Sequence, residues 1–301
     1  MGLGSPAILA LFGTAALALG AFAWVELRGR SPMVEFAYFR SRSFLGANAV
    51  AFVVSFAMLA MFFFMALYMQ NILGYSPLEA GIRFLPSTVV IIFTAPVAGR
   101  LADRIGPRPL MTAGLVFAAV ALWMQSRVTV DTTYPDLLAS FSLMGLGMGL
   151  VMSPMSTAAM NAVSADKAGA ASGILSMFRM VGGTFGVAAI GALFQSLARD
   201  RVGDAAQTAG LPPSVEHELV ENLGSGRLEG VAPQLDSAAA ERLADGMREA
   251  FVHALGGALT LSAAVAAAGA VIAFALVEPK RAQRPVDVRR QPEAVEPAGA
   301  Q

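Results

Sequence analysis

Residues 99–109 read GRLADRIGPRP, which places three arginines and an aspartate in one short stretch of a chain only 14% charged. The pattern is Gly99-x-Leu101-Ala102-Asp103-Arg104-x-Gly106-x-Arg108, with apolar runs on both sides. The chemistry open to such a cluster is electrostatic latching. The Asp103 carboxylate can accept hydrogen bonds from exposed helix-end amides or pair with an arginine. Gly99 ends a helix and admits a close neighbour, and Gly106 turns the chain. The plainer reading is an arginine-rich loop that anchors one side of a membrane.

Few other residues carry chemistry. There are no cysteines and two distant histidines, His217 and His253, so the sequence calls for no metal and no cofactor. Arg179 lies several residues inside an apolar run. It either snorkels to the interface or serves a cavity or gate. Asn48, Gln125 and Asn161, with Gln70 and Ser140, Ser142 and Ser156, are polar groups in apolar surroundings that could line a cavity. The His253 imidazole could act as a proton shuttle, against the plainer role of an interfacial histidine, and Arg83 reads as an anchor at the end of its span. The stretch GLGMGL at residues 145–150 lies within an apolar helix with no soluble strand before it, which argues against nucleotide binding. The pairs Gly145/Gly149, Gly169/Gly173 and Gly182/Gly186 have the spacing of close helix packing. Met58, Met61, Met65, Met69 and Phe62–Phe64 form bundle core or lipid contact, or an adaptable apolar cavity.

These residues need elements to hold them. With 56% hydrophobic residues and a mean hydropathy of +0.62, the chain reads as an all-α polytopic membrane protein. A spanning helix needs roughly 20 apolar residues, and seven candidates appear: Pro6–Trp24, Phe44–Gln70, Phe84–Ala98, Leu110–Met124, Leu137–Met155, Gly173–Leu197 and Phe251–Val277. Pro86, Pro96 and Pro154 would kink their spans. Lys and Arg divide thirteen against two between alternate connections, which places the N-terminus outside and the C-terminus in the cytoplasm. The first span has no positive charge before it, so it is not a cleavable signal. The organisation expected is an extra helix in 1–30, a cytoplasmic linker in 31–43, five helices in 44–195, an extracytoplasmic acidic segment in 196–248, a last helix in 249–277 and a disordered basic tail in 278–301. Residues 236–255 are expected to run as a helix directly into the last span.

The GRLADRIGPRP pattern resembles the loop between the second and third helices of each half in the major facilitator superfamily. The runs LGYSPLEAGIRFLPSTVVIIFTAPVAGRLADRIGPR, MGLGMGLVMSPMSTAAMNAV and AGAASGILSMFRMVGGTFGVAAIGALF are similar to the second half of the fourteen-span drug:proton antiporter branch, the EmrB/QacA type. The resemblance implies the C-terminal six-helix domain of a major facilitator fold preceded by one extra central helix. The motif residues Gly99, Leu101, Asp103, Arg104, Gly106 and Arg108 would be the conformational latch, with Pro107 standing where the motif has a basic residue. Multidrug efflux by alternating access, the lipid bilayer as surroundings and a hydrophobic or cationic small-molecule substrate follow from the same resemblance. No carboxylate sits mid-span, and in the family the coupling acid belongs to the N-terminal half. A missing N-terminal half or partner subunit is therefore expected. The alternatives are a non-transporting membrane interaction subunit or a truncated product. A seven-span receptor or photoprotein is a further alternative, and a photoprotein would need a lysine in its last span, whereas the only lysines are Lys167 and Lys280. Nothing points to an enzyme or to nucleic acid.

Overall fold

The computed structural model describes residues 41–164, 167–208 and 237–279, with isolated positions between 10 and 39 and at 219 and 223. The described elements are α1 (Arg42–Asn71), α2 (Pro77–Arg83), α3 (Leu85–Ile105), α4 (Pro107–Gln125), α5 (Tyr134–Met160), α6 (Ala168–Thr208) and α7 (Ser237–Leu276). Taking α2 and α3 together as one span, six are long and apolar enough to cross a membrane. The candidate span at 6–24, the linker at 31–43 and the tail at 278–301 lie wholly or mostly outside the described residues.

Local sequence sets the ends. Ser41 caps α1, its hydroxyl accepting from the Phe44 amide at 3.4 Å. Two capping boxes with proline in the first turn start α2 and α5: Ser76 with Glu79 before Pro77, and Thr133 with Asp136 before Pro135. Pro86 falls inside the 77–105 span, in the first turn of α3 just after the break from α2, where its missing amide costs nothing. Pro96 and Pro154 do lie within helices.

Helix α5 packs between α3 and α4, α1 packs against α6 and α7, and α4 meets α7 to close the bundle. Two aromatic series tie the helices together. Phe64, Phe194 and Phe251 link α1, α6 and α7 at 5.1 and 5.2 Å, and Phe62, Phe84 and Phe141 link α1 to the start of α3 and to α5 at 4.9 and 5.2 Å. Edge and tilted ring contacts of this kind add to the burial itself.

The acidic segment at 196–248 is helical at both ends, where a helix is expected only from 236 onward. α6 has 41 residues and α7 has 40, so each is about 60 Å long at ~1.5 Å per residue, twice the ~30 Å hydrocarbon core. Their extensions pack through Ala198, Val202 and Ala206 against Leu243, Met247 and Ala250, all buried, while Arg199, Asp204, Glu241 and Asp245 stay exposed. The apolar stripe at a spacing of four continues past the membrane, which charge counting alone reads as the end of the span.

Candidate functional site

The charged motif is not a loop. α3 runs through Gly99, Leu101 and Asp103 to Ile105, and Gly106 alone joins it to α4. Gly106 has φ 89° and ψ 162°, a region essentially reserved for glycine, and its amide donates to the Ala102 carbonyl at 2.9 Å. Pro107 then opens α4 without losing a helical hydrogen bond. Gly99 sits inside α3 rather than at its end, where a Cβ would come 2.7 Å from the Ser153 hydroxyl of α5. Leu101 is half-buried, and Asp103 and Arg104 are exposed. Arg108 turns to α7: its guanidinium carbon lies 4.1 Å from the Phe274 ring centre, and its Nε is enclosed without a hydrogen-bond partner.

A cavity of about 570 Å³ opens at this end of the bundle. Asp103 and Gly106 from the motif line it together with Asn161, Thr157, Ser41 and Glu278. The Glu278 amide donates to Ser43 Oγ at 3.2 Å, joining the end of α7 to the start of α1. The structure thus brings three sequence candidates, Asp103, Gly106 and Asn161, to one polar pocket. Arg42, Arg100, Arg104, Arg108 and Lys167 all belong to the same end of the helices.

The other candidates lie elsewhere. Asn48 and Gln125 are enclosed by the bundle rather than set on an open cavity surface. Asn48 Nδ2 donates to the Phe44 carbonyl at 2.9 Å, its Oδ1 has no partner, and neither amide atom of Gln125 has one. Arg179 is half-buried on the face of α6 that also carries Gly182 and Gly186, and makes no ion pair among the described residues. His253 is exposed on α7. Of the methionine and phenylalanine cluster, Met61, Phe64, Met65 and Met69 are core, and Phe63 is exposed.

Two glycine pairs form helix seams. A Cβ at Gly182 or Gly186 would collide with the backbone of Phe52 or Phe56 on α1. One at Gly145 would meet the backbone of Ser87, and one at Gly149 would lie 2.6 Å from Thr94 Cβ, both on α3. Gly169 and Gly173 have the same spacing, but a Cβ at either would meet no described residue within 4 Å. Two features escape a reading by spacing. Gly114 of α4 meets the Gly147 carbonyl of α5, where a Cβ would be 2.6 Å away. Arg83 lies over the Tyr75 ring at 3.5 Å and near Tyr134 at 5.3 Å, and the Tyr134 hydroxyl donates to the Arg83 carbonyl at 3.2 Å. Tyr75 and Tyr134 are far apart in sequence, so only the fold reveals this cation–π clamp.

The family model for the Major Facilitator Superfamily matches residues 3–187. The chain belongs to the major facilitator superfamily. Similar proteins include the tetracenomycin C resistance and export protein of Streptomyces glaucescens, 30% identical over 91% of this chain and 51% of that protein. The multidrug efflux pump LfrA of Mycolicibacterium smegmatis is 30% identical over 90% of this chain and 53% of its own length. The multidrug resistance protein Stp of Mycobacterium tuberculosis is 33% identical over 69% and 38%. The chain thus spans about half the length, or less, of these curated relatives. Among solved structures, an inward-facing, unoccupied bacterial homologue of the human lysosomal transporter Spinster superposes with a TM-score of 0.50 at 19% identity, over 81% of this chain and 52% of that one. At that identity the likeness is one of fold. This major facilitator protein is an integral membrane protein of a transporter family, all-helical among its described residues, and the three relatives named above come from bacteria.

Proposed function

We propose that the chain forms the C-terminal six-helix domain of a fourteen-span drug:proton antiporter and works together with an N-terminal half, rather than as an enzyme. The observation that carries this reading is a surface that matches the coverage. Nine-tenths of the chain aligns with half of an export protein, and α3 and α6 leave rows of large apolar side chains bare. Ile92 and Phe93 on α3 are 61% and 71% exposed, and Met180 and Phe185 on α6 are 75% and 60% exposed. In a two-domain transporter, substrate binds near the midplane between the halves, and alternating access comes from one half rocking on the other. The Gly145/Gly149 and Gly182/Gly186 seams support such motion, because close backbone packing lets helices move as pairs. The end that carries the motif and its arginines faces the cytoplasm, and the extensions of α6 and α7 face outward, in a bacterial cytoplasmic membrane. Asp103 acts at the cytoplasmic end as the latch that favours one access state. The energy source is a proton gradient coupled through the other half, with hydrophobic or cationic drugs as substrates.

Co-expression tests this reading. The chain produced with the N-terminal half of a relative such as LfrA is expected to confer resistance that neither part confers alone. Full resistance from this chain alone, or none with any partner half despite stable insertion of both parts, would overturn it.

A further inference from the structure

On the face formed by α4 and α7 lies a groove of about 720 Å³ that no part of the described chain fills. Ala263, Ala267 and Ala270 of α7 form a shallow floor, because methyl side chains leave the space open, and Val116 and Trp123 of α4 raise one wall. The two threonines in the lining have spent their donors within their own helices, Thr112 on the Arg108 carbonyl at 2.9 Å and Thr260 on the Gly256 carbonyl at 2.7 Å. The groove therefore offers apolar surface and no directional polar contact. From Thr112 to Trp123 it runs about 17 Å at ~1.5 Å per residue, close to one leaflet's share of a ~30 Å hydrocarbon core.

One end is charged. Arg108 lies one helical turn before Thr112, and its guanidinium rests on Phe274, itself part of the groove wall. The side chain is half-exposed and makes no hydrogen bond or ion pair with a described residue, so a fixed cation stands at the mouth of an apolar slot. The aromatic ring holds the guanidinium plane in place, and a held guanidinium binds a phosphate with two parallel hydrogen bonds.

We propose that this groove is a binding site for an anionic phospholipid, with its phosphate on Arg108 and one acyl chain along α4 and α7. The occupant is a lipid because the slot is apolar along its length and ends on an arginine held against its aromatic wall. A packed protein helix has no use for that charge. An anionic headgroup is selected because no compensating carboxylate is paired with the guanidinium among the described residues.

The test is native mass spectrometry on the full chain purified in detergent, titrated with phosphatidylglycerol and with phosphatidylcholine of identical acyl chains. Phosphatidylglycerol is expected to be retained about tenfold more tightly, and Arg108→Gln to abolish that preference. Arg100→Gln, which removes an exposed positive charge from the same end, should leave the preference intact. Ala267→Phe, or the milder filling Ala264→Leu, should weaken retention of both lipids. Equal retention of the two lipids, or a preference that survives Arg108→Gln, would overturn the proposal. So would a disulfide forming readily between cysteines placed at Leu17 and Val271, which would put the first apolar span in the groove.

Discussion

At Gly182 an added Cβ would press on the backbone of Phe52, and neither a helix backbone nor its carbonyl can yield as a flexible side chain would. Gly182→Ala is expected to destabilise the protein by about 1–3 kcal/mol, as overpacking does. Gly173→Ala meets no described residue within 4 Å, removes a helix-weakening glycine, and should be neutral or slightly stabilising. Thermal unfolding of the two variants side by side in one detergent checks the pair. If Gly182→Ala melted no lower than Gly173→Ala, the close α1–α6 contact would be wrong. The two positions also show how far spacing alone carries. Glycines four apart mark a face on which two helices can come close, and the sequence exposes that face at Gly145/Gly149, Gly169/Gly173 and Gly182/Gly186 alike. Whether a neighbour occupies the face depends on the bundle, which supplies one at the first and third pairs and, among the described residues, none at the second. Arg83 makes the same point for charge. At the end of a span it reads as an anchor, and only the approach of Tyr75 and Tyr134 from separate elements turns it into a clamp.

Among the elements, the α3–α4 junction carries the most sequence information in the fewest residues. The glycine, the prolines and the charges of 99–109 were all legible, yet their shape was not, because helical propensity carries α3 six residues past Gly99 before Gly106 breaks it. A single-residue turn holds Asp103 and the start of α4 in fixed relation, which suits a latch better than a loose loop would. Asp103→Asn keeps the shape and removes the charge. In the reassembled transporter it is expected to lower the transport rate about tenfold, equivalent to ~1.4 kcal/mol, with expression nearly intact. Unchanged transport would leave the motif as a plain anchor. The outer extensions of α6 and α7 were half legible. The helical run into the last span is visible in the pattern of 236–255, but α6 was cut short at Leu197 because Arg199 and Asp200 look like the end of a membrane helix. The buried stripe of Ala198, Val202 and Ala206 continues the helix, with packing against neighbouring helices covering it.

For the molecule as a whole, composition and span counting made the membrane class and the helical fold readable, since no soluble surface tolerates so little charge. Which side chains face a cavity was not readable, because burial of Asn48 and Gln125 and exposure of His253 depend on how the helices are rotated within the bundle. The central claim is that this domain transports only with a second one. Coupling needs a titratable group that gains a proton in one access state and loses it in the other, and two halves around a shared site. The spans described here hold no carboxylate near their middle. The direct measurement is substrate-induced proton flux in proteoliposomes containing this polypeptide alone, then with a co-reconstituted N-terminal half. The account predicts no flux from the first preparation and flux from the second. Flux from the polypeptide alone, abolished by His253→Gln, would show that one half with an imidazole carrier suffices and would contradict it.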